Sequence, residues 1–227
     1  MKKSDFAIVT PSVTVNEVYF MELPLIAIKT ANNQDDIYNY LEKNNFSVLQ
    51  RFNKKELEQK LQWMIEFLDV ELINFINLSL DEKKMVLKWR NTPAIKKWMF
   101  NQNKIDLDNH LHYIESLKQK KDRLYFLLKS EHQAIGVIDF TNIDTKNNKA
   151  EFGIYTNPNL KGKGNLLMSI LIQYAFKNLN IKTLKAEVFA ENLPAIKLYV
   201  RYNFKEKKRY LLNNKQIIQM ELKNENR

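Results

Sequence analysis

Two glycines in a short loop are the first residues of this sequence whose type and spacing indicate chemistry. Gly162 and Gly164 lie in the segment Lys161-Gly-Lys-Gly-Asn165, between a stretch that predicts a strand and one that predicts a helix. Glycines there let backbone N–H groups turn toward a ligand, and a helix N-terminus adds partial positive charge, so the loop could hold a pyrophosphate. It lacks the GxxxxGK[ST] spacing of a Walker A loop, and a lone GxG also occurs in structural turns.

Glycine is scarce in this chain, and its distribution points to the same region. Four glycines occur among 227 residues, where an average usage of roughly 7% would give about sixteen. They are Gly136, Gly153, Gly162 and Gly164. Because glycine adopts positive φ freely and lets other atoms approach the backbone closely, we expect the functional site in this stretch.

The composition excludes several kinds of site. Cysteine is absent, which excludes disulfides, thiolate metal sites and a cysteine nucleophile. The histidines, His110, His112 and His132, do not have a spacing suited to zinc, and we expect no metal. No apolar run approaches the roughly 20 residues of a membrane-spanning helix, and the N-terminal apolar stretch is too short for a signal peptide. We therefore expect a soluble, cytoplasmic protein that does not bind a membrane.

Positive charge is concentrated in the later part of the chain. The formal net charge is +10, with 8 basic and 10 acidic side chains in residues 1–69 and 28 and 16 in residues 70–227. A cationic domain attracts phosphates, which leaves nucleotide-like ligands and nucleic acid open on charge alone. A lysine-rich solvated surface is an equally simple explanation.

The elements that must position the glycine loop form an α/β pattern after residue 69. Apolar runs separated by turn residues predict three consecutive strands before the loop, and helical spacing predicts the helices. The predicted order is strand 70–75, helices 80–89 and 110–120, strands 124–128, 134–140 and 150–155, helix 166–179, strand 183–189, helix 193–201, and a strand pair at 209–212 and 217–222.

The start of the chain forms a smaller pattern of its own. Apolar runs predict strands at 6–9 and 25–28, with helices at 13–22 and up to residue 41. Two buried strands cannot cover both faces of a parallel sheet, so we interpret residues 1–52 as a fragment or an extension that packs on something else. Apolar spacing predicts a connecting amphipathic helix over residues 53–68, followed by a second domain over residues 69–227.

The order of elements and two motifs together resemble the GNAT family of acetyl-CoA-dependent N-acetyltransferases. Lys161 to Leu166 lies where that family has R/Q-x-x-G-x-G/A, with lysine replacing the first residue and leucine the last. Asn192-Leu-Pro-Ala-Ile-Lys-Leu-Tyr199 and the following Arg-Tyr-Asn-Phe204 are similar to the family's N-x-x-A-x-x-x-Y-x-x-x-G-F motif. Asn203 stands at its usual glycine, and asparagine is the next best residue for a left-handed helix C-cap.

This resemblance implies a fold and a set of ligand contacts. The expected fold is α/β, with a mixed, mostly antiparallel central sheet flanked by helices, and the expected co-substrate is acetyl-CoA without a metal. The residues implied in acetyl-CoA binding are Gly153, Ile154, Tyr155, Lys161, Gly162, Lys163, Gly164, Asn165 and Asn192. A backbone N–H just after Gly153 would bind the thioester carbonyl, and Asn192 could equally serve as a helix N-cap.

Acetyl transfer to an amine needs a proton acceptor for the amine and a proton donor for the departing thiolate. Tyr199 is the predicted donor, because a hydroxyl with a pKa of about 10 can protonate a thiolate whose thiol has a pKa near 8.5. Packing in the core beside Ile196 and Leu198 is the alternative role. Glu151 could accept the ammonium proton through water, although a structural role at the strand start is the simpler interpretation.

Within the GNAT family, the chain from about Val70 onward resembles the enzymes that acetylate the 4-amino group of a UDP-linked 4-amino-4,6-dideoxy sugar in pseudaminic acid synthesis for flagellin glycans. The resemblance includes Leu87-Lys-Trp-Arg-Asn91, His110-Leu-His-Tyr-Ile-Glu115 and Gly136-Val-Ile-Asp-Phe-Thr141. It implies that the nucleotide-sugar side is lined by Arg90, His110, Thr141 and Tyr155. Alternatively, Arg90 could cap a helix end and His110 could be an ordinary surface residue.

Residues 1–52 have a resemblance of their own, to the end of a GT-B glycosyltransferase-like domain. The segments that carry it are Ser4 to Glu17, Leu23 to Ile28 and Asn33-Gln34, and the similar family is the UDP-sugar hydrolase of the same pathway. The N-terminal half of that fold and its catalytic residues are absent. We therefore interpret these residues as a remnant of a fused chain and expect no hydrolase activity.

Three functions stay open at this point. The leading one is an acetyl-CoA-dependent N-acetyltransferase whose partner is a UDP-amino sugar, with no nucleic acid or membrane partner and with a homodimer as a possible assembly. The second is a protein N-terminal acetyltransferase of the same fold, because the Trp-Arg-Asn segment also occurs in those relatives. The third is a non-catalytic remnant whose positive charge binds nucleic acid or another anion.

Overall fold

The structure is a computed structural model that describes residues 4–21, 23–44, 46–130 and 133–224. Internal contacts divide the chain into two units, Met1–Asp69 and Val70–Arg227. The described residues form two sheets, of three and seven strands. Within the described residues, no helix combines the length and the apolar character that crossing a membrane requires.

The first unit is a small parallel α/β layer. Its elements are β1 (Ala7–Val9), α1 (Thr14–Phe20), β2 (Leu25–Ile28), α2 (Asp35–Lys43), β3 (Ser47–Leu49) and α3 (Lys54–Leu68). The strands pair in the order β1-β2-β3, and both pairs are parallel. Glu22, the predicted last residue of the first helix, lies outside the described residues.

A third strand and the long helix give this unit more core than the sequence predicts. β3 is only three residues long, too short for an alternating pattern to reveal it, and it was not predicted. Met64 of α3 packs against Ile26 of β2 and Leu49 of β3, so the helix predicted as a connector belongs to this core. A second cluster joins Val18 of α1 to Leu41 of α2.

The second unit contains the elements that the sequence predicts for it. These are β4 (Glu71–Asn74), α4 (Leu80–Arg90), α5 (Pro93–Lys96), α6 (Leu107–Ser116), β5 (Leu124–Ser130), β6 (Gln133–Asp144), β7 (Lys149–Thr156), α7 (Gly164–Gln173), β8 (Thr183–Phe189), α8 (Leu193–Arg201), β9 (Lys205–Leu212) and β10 (Lys215–Lys223). The short α5 was not predicted, and α7 continues as a π-helical turn over Tyr174–Asn178.

One parallel pair interrupts an otherwise antiparallel sheet in this unit. The strand order is β4-β5-β6-β7-β8-β10-β9. β7 and β8 are parallel, and the other neighbouring pairs are antiparallel. The mixed, mostly antiparallel sheet that the sequence predicts is therefore confirmed.

Helices cover both faces of the seven-stranded sheet. On one face, Trp89 of α4 and Ile114 of α6 pack against Val137 of β6. On the other face, α7 packs on β6 and β7, and the ring of Tyr174 stacks on that of Phe140 with 5.7 Å between centroids. Because side chains alternate along a regular strand, the odd-numbered residues of β6 between Gly136 and Thr141 face α4 and α6, and the even-numbered ones face α7.

Residues at the helix termini determine where α4 begins and where α8 ends. The Ser79 hydroxyl accepts the Glu82 N–H at 3.2 Å, and the Glu82 carboxylate accepts the Ser79 N–H at 2.8 Å, which is a capping box at the start of α4. After α8 the chain passes through Asn203 with φ of +65°. This confirms the predicted left-handed asparagine at the position where the family motif has glycine.

Candidate active site

A gap opens in the sheet where β7 and β8 diverge. The two strands pair at Lys149↔Thr183, Ala150↔Leu184 and Glu151↔Lys185. β7 then continues to Thr156 and β8 to Phe189, and no further pairs join them in these described strands. The facing edges beyond Glu151 therefore present backbone groups that a ligand can use.

The backbone N–H of Ile154 points into this gap. Just beyond β7, the Asn157 N–H donates to the Ile135 carbonyl at 2.7 Å, and the β6–β7 ladder is regular from there through Ile154. Hydrogen-bonded pairs alternate in an antiparallel ladder, so the odd-numbered residues of β7 bond to β6 and Ile154 directs its N–H to the opposite edge. This geometry suits the predicted thioester contact.

Gly153, beside that N–H, leaves room for a carboxylate. Asp139 of β6 is the direct cross-strand partner of Gly153. Its carboxylate lies over the glycine, where a Cβ at position 153 would overlap it. Burial raises the pKa of Asp139 to about 7, and an interaction with the Gly153 N–H offsets part of the rise.

Asp139 is a residue of the site that sequence reasoning missed. The resemblance includes it within the segment Gly136 to Thr141 and implies no role for it. The available signal was an aspartate inside an otherwise apolar stretch, where an ionisable side chain is costly to bury without a partner.

The predicted pyrophosphate loop leads from β7 into α7. Gly162 has φ of +78°, and no atom lies within 4 Å of the place where its Cβ would be. Lys163 is the N-cap residue, α7 begins at Gly164, and no side chain caps the helix. Lys161 is exposed at the start of the loop. The uncapped first turn and the lysines suit an anionic group.

The start of α7 is fixed to the end of α8. Arg201 Nη1 donates to the side-chain oxygen of Asn165 at 3.0 Å, and the Tyr202 hydroxyl donates to the Asn165 carbonyl at 2.9 Å. The Tyr202 hydroxyl also lies 2.8 Å from Ser169 Oγ. Because both of its oxygens are engaged in these contacts, Asn165 would meet a ligand through an N–H donor, either of the backbone or of the side-chain amide.

Tyr199 is buried on the α7 and α8 side of the sheet. Its ring meets Phe152 edge-on with 5.5 Å between centroids and packs at 5.7 Å from Phe204. Burial, and to a lesser degree the nearby charge of Asp139, raise the pKa of its hydroxyl. The tyrosine is therefore both a core residue and a protonated hydroxyl within electrostatic range of Asp139.

Two other predicted site residues have structural partners. Glu151 Oε2 accepts a hydrogen bond from Asn142 Nδ2 at 2.7 Å, across the irregular end of the β6–β7 ladder. The Asn192 side chain accepts the Ala195 N–H at 3.3 Å and is the N-cap of α8. These contacts match the structural alternatives that the sequence left open for both residues.

Arg90 and His110 lie on the helices that cover the other face. Arg90 Nη2 donates to the Asn101 carbonyl, while Nη1 is buried and has no partner in the described structure. Burial lowers the pKa of Arg90. His110 is buried rather than on the surface, its Nε2 lies 3.1 Å from the Lys83 carbonyl, and burial lowers its pKa. The histidine thus joins α6 to α4 and has only its other ring nitrogen for a ligand.

Thr141 and Tyr155 lie on the same face of the sheet as Asp139. Thr141 is two residues further along β6, and Tyr155 is two residues after Gly153 on β7. Burial and Asp139 raise the pKa of the Tyr155 hydroxyl, whereas the positive charge of Arg90 opposes the rise. The fold therefore places Thr141 and Tyr155 on one face of the sheet, four residue positions apart along the ladder, with Arg90 close enough to Tyr155 to interact electrostatically.

Comparison with known proteins places the second unit in a family. Residues 73–205, more than half of the chain, match the family model described as the acetyltransferase (GNAT) domain. The chain belongs to the GNAT acetyltransferase family. The predicted fold class and the predicted acetyltransferase class are thereby confirmed, and residues 1–69 lie outside the matched region.

Individual relatives agree with the GNAT assignment. Acetyltransferase PseH of Campylobacter jejuni (serotype O:23/36, strain 81-176) is 46% identical over 135 residues, which are 60% of this chain and 84% of the relative. The crystal structure of C. jejuni PseH in complex with acetyl coenzyme A has 39% identity and a TM-score of 0.56, over 69% of this chain and 99% of that one.

A more distant structure shares the fold alone. Spermidine N-acetyltransferase from Vibrio cholerae, in complex with CoA and spermine, superposes with a TM-score of 0.62 at 20% identity. The match covers 68% of this chain and 95% of that one.

Proposed function

We propose that this GNAT enzyme transfers the acetyl group of acetyl-CoA to the 4-amino group of a UDP-linked 4-amino-4,6-dideoxy sugar, a step of pseudaminic acid synthesis. Acetyl-CoA is the donor, in keeping with the family and with the acetyl coenzyme A complex of C. jejuni PseH. The observation that carries the acceptor is the 46% identity to acetyltransferase PseH.

The donor would bind along β7 and the start of α7. The pyrophosphate would lie at the loop around Gly162, where the first N–H groups of α7 have no capping side chain. The thioester carbonyl would accept the Ile154 N–H, which also stabilises the oxyanion that forms during attack. A fixed backbone donor performs this task without reorganisation at the moment of reaction.

Transfer is a direct attack with one proton donor. The amine nitrogen bonds to the thioester carbonyl carbon, and the carbon–oxygen π electrons move to the oxyanion. When the carbon–sulfur bond breaks, the Tyr199 hydroxyl protonates the thiolate, and the N–H proton that the new amide must lose restores the hydroxyl. The raised pKa of Tyr199 keeps its proton in place at neutral pH.

The acceptor would lie on the α4 and α6 side of the gap. Thr141 of β6 and Tyr155 of β7 lie on this face, and Arg90 of α4 interacts electrostatically with Tyr155. Arg90 Nη1 is a buried donor without a partner in the described structure, so a phosphate or sugar oxygen that reached it would remove the cost of leaving it unpaired. His110 would contribute through Nδ1 and by holding α6 to α4.

Acetylation assays with a panel of acceptors test the proposal. The purified protein is incubated with acetyl-CoA and the 4-amino UDP-sugar, with the 4-hydroxy analogue as matched control, and with peptides carrying free N-termini in parallel. Because the chain has no cysteine, released CoA can be measured with a thiol reagent without a protein background. We expect CoA release and an acetylated product from the amino sugar alone.

Other outcomes assign the enzyme differently. Release with the peptides and not with the amino sugar would identify a protein N-terminal acetyltransferase. Acetyl-CoA binding without transfer to any acceptor would support the non-catalytic alternative. The interpretation of residues 1–52 as a GT-B-like remnant stays a prediction, and UDP binding by that region is a separate measurement.

A further inference from the structure

We propose that Asp139 is the general base of this acetyltransferase and takes the ammonium proton from the acceptor. The inference rests on the proposed transfer to an amine, but it does not depend on that amine belonging to a UDP-sugar. The sequence offers Glu151 as a candidate for this role beside a simpler structural one, whereas the geometry points to a carboxylate nearer the reacting bond.

The position of Asp139 relative to the thioester site comes from the strand register. Asp139 pairs with Gly153, two residues beyond the last β7–β8 pair at Glu151. Its carboxylate lies over Gly153, where a side chain at that position would overlap it. The next residue, Ile154, directs its N–H into the gap, so the carboxylate and the proposed oxyanion donor are neighbours. In a chain with four glycines, one is used to make room for this aspartate.

Asp139 also lies on the side from which an acceptor would approach. It shares a sheet face with Thr141 and Tyr155, and Arg90 interacts electrostatically with Tyr155 from α4. Asp139 is half-buried rather than fully enclosed, so we expect an amine bound on this face to reach its carboxylate. Tyr199 belongs to the opposite face, so the proton acceptor and the proton donor are on opposite sides of the gap.

The groups that interact electrostatically with Asp139 favour a base that works near neutral pH. They are the hydroxyls of Tyr125 on β5 and Tyr155 on β7, and that of Tyr199 on α8 from the other face; burial first, and then the aspartate, raise their pKa values. Arg90 lies beyond Tyr155, and Arg123 and Tyr113 lie beyond Tyr125. Neutral tyrosines do not hold a carboxylate in its charged form as an ion pair would, so burial dominates and raises the Asp139 pKa to about 7.

Glu151 is less suited to the same task. Its carboxylate is already hydrogen-bonded to Asn142 at the far end of the ladder. It belongs to the last residue pair that still joins β7 to β8, so it lies at the closed end of the gap. A base there would need water to reach the amine, whereas Asp139 lies beside Gly153 itself.

Proton transfer to Asp139 comes before the attack on the thioester. The ammonium of the acceptor gives one proton to the Asp139 carboxylate, which leaves a neutral amine and a carboxylic acid. The amine then attacks the thioester carbon, and the thiolate leaves with the Tyr199 proton. After the amide product departs, the Asp139 carboxylic acid releases its proton to water, which regenerates the carboxylate for the next turnover.

The substitution Asp139→Asn, which keeps the shape of the side chain, tests the role through its pH profile. In the wild type, kcat/KM should rise with pH through about 7, because only the ionised carboxylate accepts a proton. We expect the variant to lose about 100-fold in kcat/KM at pH 7 with acetyl-CoA affinity unchanged. Above the pKa of the acceptor amine, the difference in kcat/KM between wild type and variant should become smaller, because a neutral amine needs no base.

Further variants separate chemistry from structure. Asp144→Asn, a matched change at the turn end of the same strand, should leave the profile unaltered, because this side chain accepts hydrogen bonds from the turn backbone through an oxygen that asparagine keeps. Asp139→Ala should recover activity when formate is added, because a small carboxylate can occupy the vacated space. The proposal would be overturned if the Asp139 variants lost the same fraction of kcat/KM at every pH and formate did not restore activity. It would also be overturned if the rise of kcat/KM through pH 7 disappeared in Glu151→Gln but remained in Asp139→Asn.

A measurement on the wild type covers the case in which the variants do not fold and needs no acceptor. Titration of the aspartate side-chain carbons by ¹³C NMR should show one carboxyl group with a pKa near 7. If every aspartate titrates near 4, the proposal fails. If the amino sugar proves not to be a substrate, the proposed acceptor is wrong, and the same pH series on whichever amine the enzyme acetylates still tests Asp139.

Discussion

Burial raises the pKa values of two side chains beside the gap, Tyr199 and Asp139. The raised pKa of Tyr199 keeps the proton on a hydroxyl that is proposed to give it up only to a thiolate. The raised pKa of Asp139, about 7, turns a weakly basic carboxylate into one that can take a proton from an ammonium. The same physical cause, removal from water, thus supports an acid and a base at one gap.

Replacement of the Tyr199 hydroxyl tests the acid. Tyr199→Phe keeps the ring packing against Phe152 and Phe204 and removes the proton donor. We expect kcat to fall about 100-fold, while the dissociation constant for acetyl-CoA, measured by calorimetry, stays near the wild-type value.

A second tyrosine provides the control. Tyr202→Phe removes the hydrogen bonds to Asn165 and Ser169, so it should lower the free energy of unfolding by about 1 kcal/mol with a smaller effect on kcat. Unchanged kcat in Tyr199→Phe would remove that residue from its proposed role.

Asparagine and glycine both occupy positions of positive φ in this chain, mostly in the turns that connect its elements. Positive φ values occur at six described asparagines: Asn142, Asn148, Asn180, Asn203, Asn213 and Asn214. Among the glycines, φ is positive at Gly162. At Gly136 and Gly153 the requirement is space, since a Cβ at Gly136 would come within 2.6 Å of the Tyr155 carbonyl oxygen. Asparagine can replace glycine where only the backbone angle matters, but it cannot replace it where there is no room.

Substitutions at Gly162 test the requirement for a positive φ alone, because the place of its Cβ is open. Gly162→Ala places a Cβ in a left-handed conformation at a cost of about 1–2 kcal/mol, so we expect the dissociation constant for acetyl-CoA to rise about tenfold as the loop shifts. Gly162→Asn should raise it less, because asparagine tolerates this conformation. Calorimetric titration of both variants would measure the difference. Equal affinities in wild type and Gly162→Ala would show that the loop does not hold the donor.

The proposed chemistry of the whole molecule lies in one of its two units. The β7–β8 gap, the loop before α7 and the side chains from α4, α8 and β6 all belong to Val70–Arg227. That unit has its own seven-stranded sheet and holds the 28 basic side chains that favour anionic ligands. The first unit has separate core clusters around Ile26 and Val18.

Truncation tests whether the second unit suffices. Because its sheet and core are its own, we expect a chain of residues 70–227 to fold cooperatively and to keep kcat/KM within about twofold of the full protein. Circular dichroism on heating and the CoA-release assay would measure the two properties. A folded fragment without activity would show that residues 1–69 take part in catalysis or substrate binding.

Much of the fold could be predicted because its signals are local. Apolar spacing revealed the strands and helices of the second unit, and the Asn192 to Phe204 segment predicted both a helix and its left-handed end at Asn203. The elements missed, β3 and α5, have three and four residues, too few for periodicity to reveal them, and neither forms a continuous apolar run like the one that predicted the equally short β1. For the site, the positions of the glycines predicted the loop before α7 and the strand beside the β7–β8 gap.

Motif spacing and backbone requirements depend on consecutive residues, so the family, the glycine loop and the candidate proton donor could be predicted before any fold was known. The carboxylate that faces the gap could be recognised only after folding. Asp139 and Gly153 are brought together by strand pairing, and Glu151 is engaged with Asn142 by the same ladder. The pKa of a carboxyl group depends on how completely distant segments remove water from it, and that desolvation exists only when the sheet and its covering helices are assembled.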